Sequence, residues 1–576
     1  MVKRSGSSGR RSPSSPLRAS HGDGRKSVSY SPSRSFYGSA SDLERVSGRR
    51  YSSYSRSRAS HSEGGNSVSC SRSPSSHGNG SNSERARVSG REKSPGTHGD
   101  GRNSKRVRVS KSDKCTETSG NDRISALPNK ILVHILSFLT MDEAVATGIL
   151  SKRWEYLWTE IPNLVYIKMD EKKNEYYPEG FLKFIGETLQ FHTCTRIKNF
   201  MVKFFYRDRY IDYFDTWVGF ALKNRAEELS LISVLEGSRY TRAMFYRLYT
   251  LRRKLCTNSV LTKLELSLCT FAPNSLISWK SLKSLSLGCV KLQESILQTI
   301  QLGSPRLEYL ELKHFTGLET INITSQSVKK LVLRDYHVNE YYGDFHNPAL
   351  KVSCPNVCSL EVLGCLETIL QLTDTTFQVE ANLDFNLREI GSVTYENCQK
   401  MVQSLLESLG SVEKLSIGSW FLQVLSTMEK GNLLCPSSPC KSLTLNVSRS
   451  IEREDLYGIV CILESLPNLE VLTLVMSSAD RPKFLNQSIR DNFPKLNGSL
   501  NCLQQHLKTV RVINFVQKAH ETEFLEYLLE NAEKLEKMTI EVSNSVQMLE
   551  SFQLTKKLLS FPRASTRAMI LFSEGP

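Results

Sequence analysis

The chain has 576 residues, with 75 Lys and Arg against 59 Asp and Glu, a formal charge of +16. That length suits several domains or one large repeat domain. The charge is unevenly placed: residues 1–111 hold 23 basic and 7 acidic side chains, leaving 52 of each in the remainder. A body of zero net charge offers no overall electrostatic case for nucleic-acid binding. No run approaches the roughly eighteen apolar residues of a membrane span. The opening MVKRSGSSGRRSPSSP lacks the apolar stretch of a secretory signal. The expected location is therefore the nucleus, the cytoplasm or both, with no membrane partner. The 14 cysteines are scattered, and those in strand-like segments, such as Cys269, Cys289, Cys354 and Cys365, read as small buried hydrophobes. No pair of them recurs with His or Cys at zinc spacing.

Residues 1–119 are expected to be a disordered, basic Ser/Arg-rich tail. Serine makes up 33 of the first 111 positions and aliphatics are scarce, so burial could not offset the entropy of ordering the chain. Ser-Pro steps such as Ser31-Pro32, Ser73-Pro74 and Ser94-Pro95 are plausible phosphorylation sites, each phosphate cancelling more than one positive charge. The tail weakly resembles the arginine-serine segments of splicing factors, which would make it an RNA-facing element. A solubilising or regulatory extension is the other reading. Lys105-Arg106-Val107-Arg108 with Lys111 is compact enough to act as a nuclear import signal.

Residues 120–160 read as a small helical module. Pro128 stands where a helix start tolerates a missing N–H, and Ile131, Leu132, Ile135, Leu136 and Leu139 recur at helical spacing. Asp142 and Glu143 suit the first turn of a second helix. Ala144, Ala146 and Leu150, then Trp154, Leu157 and Trp158, predict that helix and a third. So small a module cannot bury all these side chains internally. The surplus either packs on the following domain or forms a partner site.

The order Asp122-Arg123-Ile124-Ser125, Leu127-Pro128, Ile131-Leu132, Ile135-Leu136-Ser137-Phe138-Leu139, Ala144-Val145-Ala146-Thr147, Leu150-Ser151-Lys152-Arg153-Trp154 and Leu157-Trp158 resembles the F-box of plant F-box/leucine-rich-repeat proteins. The resemblance implies an F-box over 120–166 that docks on the Skp adaptor of a cullin–RING ubiquitin ligase. Leu127, Pro128, Ile131, Ile135, Leu150 and Trp154 are then the residues expected to dock or to hold the docking surface. Two departures stand out. Thr140-Met141 replaces a usual Pro-Thr-Lys, and Gly148 lies where a larger residue is common, at a mid-helix cost of about 1 kcal/mol relative to alanine.

After a polar linker at 169–180, a helix is expected from Phe181 to Gln190 with Phe181, Ile185 and Leu189 on one face. From there to 476 a pattern returns: apolar, two others, apolar, one other, apolar. It is weak at Ile197, Phe200 and Val202 and at Ala226, Leu229 and Leu231. It is clear at Leu261, Leu264 and Leu266, and recurs from there to Leu469, Leu472 and Leu474. The spacing of 21 to 29 residues belongs to leucine-rich repeats, each a short strand whose alternate side chains enter a shared core. The interval from Val357 to Val412 holds only a weak copy at Leu387 and Ile390.

Residues 477–500 read as an irregular insertion. Then come a strand at Leu507, Val510 and Val512, an acid-rich helix at Glu521–Ala532, and a strand at Leu535, Met538 and Ile540. This order resembles the FBD domain that ends many plant F-box/leucine-rich-repeat proteins and implies an FBD-like cap over 501–570. The fold class expected is α/β: a helical F-box, an irregular leucine-rich-repeat solenoid, an α/β cap and a disordered tail.

No Walker loop, HExxH motif, kinase set or GxSxG elbow is present, so no cofactor, metal or catalytic residue is expected. His134 reads as a packing or surface histidine, and Cys440 and Cys461 lack an activating His. The leading expectation is a non-catalytic, substrate-recognition subunit of a Skp–cullin–F-box ligase, gripping an unknown protein substrate through its repeats. The alternatives are a repeat scaffold outside any ligase and a nuclear RNA-associated protein acting through its tail.

Overall fold

In the computed structural model, the first helix, α1 (Asn129–Leu136), starts directly after Pro128, which supplies an extended backbone and no side-chain cap. It stops at Ser137, whose Oγ donates to the His134 carbonyl at 2.6 Å. The second, α2 (Met141–Ala146), is set by Thr140, whose N–H and hydroxyl both bond the Glu143 carboxylate at 2.9 Å. Asp142 and Glu143 occupy its first turn, where the helix dipole favours negative charge. The expected third α-helix is not formed. The chain passes through a 3-10 turn at Thr147–Ile149, a run of turns, and a second 3-10 segment at Leu157–Glu160. Two bulky tryptophans so close to the first strand are buried by tight turns that aim both inward.

The structure describes residues 123–124, 126–168, 179–205, 208–234, 248–338, 349–374, 379–388, 394–428, 438–448, 451–477, 500–516, 518–543 and 555–574. The tail, most of the linker, the 478–499 insertion and Ile390 lie outside them.

The repeat sheet begins earlier than the leucine pattern placed it. Strand β1 (Asn163–Lys168) pairs in parallel with β2 (Asn199–Phe205), Leu164 opposite Phe200 and Tyr166 opposite Val202. Ile161, Leu164 and Tyr166 are a copy of the same pattern, all buried, and the aromatic in the last place hid it. Between these strands lies α3 (Glu179–Phe191), whose buried face is Leu182, Ile185 and Thr188. Phe181 and Leu189 of the expected face are partly buried against the same core, and Thr188 joins it through its hydroxyl, which meets Tyr166 at 2.9 Å.

β2 then pairs with β3 (Glu228–Val234), and each later repeat adds a parallel strand, its inward positions in register with those of the strand before. One inward column runs Leu264, Leu285, Leu310, Leu331, Leu360; the next runs Leu266, Leu287, Leu312, Leu333, Val362. All ten are buried. At about 1.5–3 kcal/mol for each fully buried side chain, these columns account for why no repeat stands alone. The long interval after Val357 is filled by the strand Glu380–Leu387, with Ala381, Leu383 and Phe385 buried. Leu387 closes that strand instead of opening one. A smaller parallel sheet of Thr320–Asn322, Leu350–Ser353 and Leu370–Thr373 backs the middle repeats.

The closing segment continues the same ladder. Thr509–Phe515 pairs with Val471–Ser477, Lys537–Val542 with Thr509–Phe515, and a further strand, Met569–Glu574, with Lys537–Val542. The helix between the first two spans Ala519–Asn531. A recurrent feature marks the middle repeats. Leu268, Cys289, His314, Asp335 and Gly364 all have positive φ, each two residues beyond its strand's second inward side chain. Backbone in this region costs most residues energy, and the repeated bulge is paid for by the pairing around it.

Candidate functional site

The two faces of α1 have opposite fates. Leu132 and Leu136 are buried, whereas Ile131, Ile135 and Phe138 are exposed. Ile131 and Ile135 stand four residues apart on the helix and so share a stripe, and Phe138 follows in the turn after Ser137. His134 joins them, its ring edge-on to Phe138 with centroids 5.0 Å apart. From the turn after α2, Ile149 and Leu150 are 89% and 64% exposed. With Ile124 and Tyr156, seven of the eighteen large exposed hydrophobics among the described residues fall within 124–156. A density of that kind is characteristic of an interaction surface.

Behind the stripe, Trp154, Leu157 and Trp158 are buried, and the Trp158 indole donates to the Glu155 carbonyl at 3.0 Å. Arg153 reaches back across the module: its Nε donates to Asn129 Oδ1 at 2.9 Å and its Nη2 donates to the Leu127 carbonyl. Of the six residues singled out from sequence, Pro128, Ile131, Ile135 and Leu150 face outward, Leu127 is half-buried against the core, and Trp154 lies beneath. Phe138 and Ile149, also exposed, were not among the six. Phe138 could have been found, because it continues the Ile131–Ile135 spacing. Ile149 could not, because its direction depends on the 3-10 turn. Gly148 also sits in that turn and not in a helix interior, so the expected helix penalty does not apply. A Cβ there would touch the Glu155 backbone at an ordinary 3.5 Å.

The module is seated on the sheet without a spacer. The Asn163 side-chain amide donates to the Ser137 carbonyl at 3.2 Å, and both the N–H and hydroxyl of Thr193 reach the Thr159 carbonyl, at 2.9 and 3.1 Å. Its buried residues belong to the same apolar core as the first strands.

A polar cluster lies along the middle strands. Lys313 bridges Glu311 at 3.1 Å and Glu265 at 3.3 Å, the Ser286 hydroxyl donates to Glu311 at 2.9 Å, and Arg388 holds Glu367 at 2.6 Å. His314 and His337 stack with centroids 6.0 Å apart. Burial, reinforced by His337, Arg334 and Lys313, pushes His314 down to about 3, which is too weak a base for chemistry near neutral pH. The Cys440 thiol is pushed up to about 11 by burial, so it carries little of the thiolate that nucleophilic attack needs. Among the described residues no group of three or more His, Cys, Asp or Glu could hold a metal ion. No helix among them is long and apolar enough to cross a membrane.

Comparison with known proteins matches these two parts separately. An F-box domain family covers residues 124–166, and the At1g61320/AtMIF1 leucine-rich-repeat domain family covers 188–567. The chain belongs to the plant F-box/leucine-rich-repeat family. Among the relatives of this F-box/leucine-rich-repeat chain in Arabidopsis thaliana, F-box/LRR-repeat protein At5g02910 is 32% identical over 64% of this chain and 76% of its own length. Putative F-box/LRR-repeat protein At5g02930 is 27% identical over 76% and 91% respectively. F-box/FBD/LRR-repeat protein At2g04230 is 27% identical over 76% and 93%.

Proposed function

We propose that this F-box/leucine-rich-repeat chain is a non-catalytic substrate-recognition subunit of a Skp–cullin–F-box ubiquitin ligase. Residues 120–166 dock on the Skp adaptor, and the repeats over 181–476 hold a protein substrate. The observation that carries the reading is the apolar stripe of Ile131, Ile135 and Phe138, left exposed on the module that matches the F-box family. Such a subunit needs no reacting group. Tethering a substrate lysine beside the ligase raises its effective concentration, and that proximity supplies the rate. Residues 501–570 serve as an FBD-like cap, a reading supported by the relative named for FBD and by the position of Met569–Glu574 at the last rung of the ladder. Work in the nucleus or cytoplasm fits this role.

The test is recovery of a Skp-family adaptor and cullin by the full chain, beside Leu127→Ala/Pro128→Ala and Ile131→Asp/Ile135→Asp variants. Recovery by the wild type and loss in both variants, each still folded, supports the reading. Failure of the folded wild type to recover the adaptor overturns it.

A further inference from the structure

We propose that Arg153 is the positioning residue of the docking surface, clasping the segment that carries Ile131 to the segment that carries Leu150. The inference rests on the F-box reading above and deepens it. α1 has only eight residues and Pro128 gives it no side-chain cap. A helix this short is marginal by itself, so its direction depends on what ties its first turn. Arg153 supplies that tie from 24 and 26 residues away, through Asn129 Oδ1 and the Leu127 carbonyl. The neighbouring Trp154 is buried, which anchors the backbone from which the guanidinium reaches.

The two halves of the apolar surface come from different elements, and a partner that buries both needs them in one fixed relation. A guanidinium suits the task because its planar fork holds two acceptors at a set angle, whereas an ammonium is a point charge on a flexible stem. Arg153 thus acts through α1. The loss of its side chain is a loss of geometry and leaves the apolar contacts themselves in place.

The experiment uses the full chain and a purified Skp-family adaptor, comparing wild type, Arg153→Ala, Arg153→Lys, Asn129→Ala and the Asn129→Ala/Arg153→Ala pair. Two quantities are read: adaptor affinity, and amide exchange of residues 129–136 against strand 263–267 as internal reference. Arg153→Ala and Arg153→Lys should each weaken adaptor binding by about ten-fold or more. They should also speed exchange in 129–136 while leaving 263–267 unchanged. Asn129→Ala should weaken binding less, and the pair should be no worse than Arg153→Ala, since both remove one clasp. Unchanged exchange in α1 overturns the proposal, whether affinity falls, which would make Arg153 a direct contact, or stays the same. Full rescue by Arg153→Lys also overturns it. Should wild type fail to bind the adaptor, the F-box reading falls while the exchange comparison still decides the clasp.

Discussion

The backbone of Gly418 runs so close beneath Asp384 that a Cβ placed there would lie 2.1 Å from the carboxylate Oδ1. The same carboxylate accepts the Asn446 side-chain amide at 3.0 Å, so it cannot swing aside without giving up a partner. Gly418→Ala should therefore cost about 2 kcal/mol or more, the range of strained or overpacked sites. Adding Asp384→Ala should recover part of that loss, which a double-mutant cycle in urea would measure. Gly364 offers the contrasting case. Its Cβ would lie 2.3 Å from Asp335 Oδ1 and its φ is +78°, so removing the Asp335 carboxylate should leave the backbone strain of Gly364→Ala in place. Equal recovery at both sites would contradict this account.

The opposed faces of α1 predict opposed mutational effects. Leu132→Ala removes a fully buried side chain and should lower stability by about 2–5 kcal/mol. Ile135→Ala, on the exposed face, should change it by less than about 0.5 kcal/mol. Thermal unfolding of the two variants separates them directly.

Gln423 sits at 1% exposure within the buried helix Ser419–Ser426, and among the described residues neither its Nε2 nor its Oε1 has a hydrogen-bond partner. An amide buried without partners costs about 1–3 kcal/mol in proteins. Gln423→Met keeps the shape and removes the polar atoms, and should raise stability by roughly that amount. A fall in the denaturation midpoint would show that the amide is satisfied.

Burial lowers His192 to about 4 from an ordinary value of 6.5, beside the Phe220 ring at 6.0 Å. The unfolded chain therefore takes up this proton first as the pH drops. The contribution is fully present above about 6.5 and is lost progressively as pH falls toward 4. His192→Phe should flatten the stability profile in that window. An unchanged slope between wild type and variant would assign the pH dependence elsewhere.

Much of the repeat domain was legible because leucine at two alternate strand positions has few other uses. Leu264 and Leu266, or Leu443 and Leu445, announce a strand without help. The strand with Ala381 did not, since alanine carries no pattern. It is a rung only because Leu360 precedes it and Leu415 follows it in register. β1 was concealed by Tyr166, and the last strand, Met569–Glu574, by apolar residues on both faces. The exposed apolar surface of the module was legible in part: the motif placed Ile131, Ile135 and Leu150 among the docking candidates, and the exposed Phe138 and Ile149 lay outside them.

The sequence by itself determined that a short apolar helical module precedes a leucine-patterned parallel sheet, because period and side-chain chemistry are local properties. It could not determine which apolar residues of α1 meet the core. Ile131 and Leu132 are neighbours of equal hydrophobicity, and helical spacing admits both to one wide stripe. The tertiary structure decided it. Packing against the 157–160 segment buries Leu132 and Leu136, with Val133 partly buried beside them, and leaves Ile131, Ile135 and Phe138 facing outward.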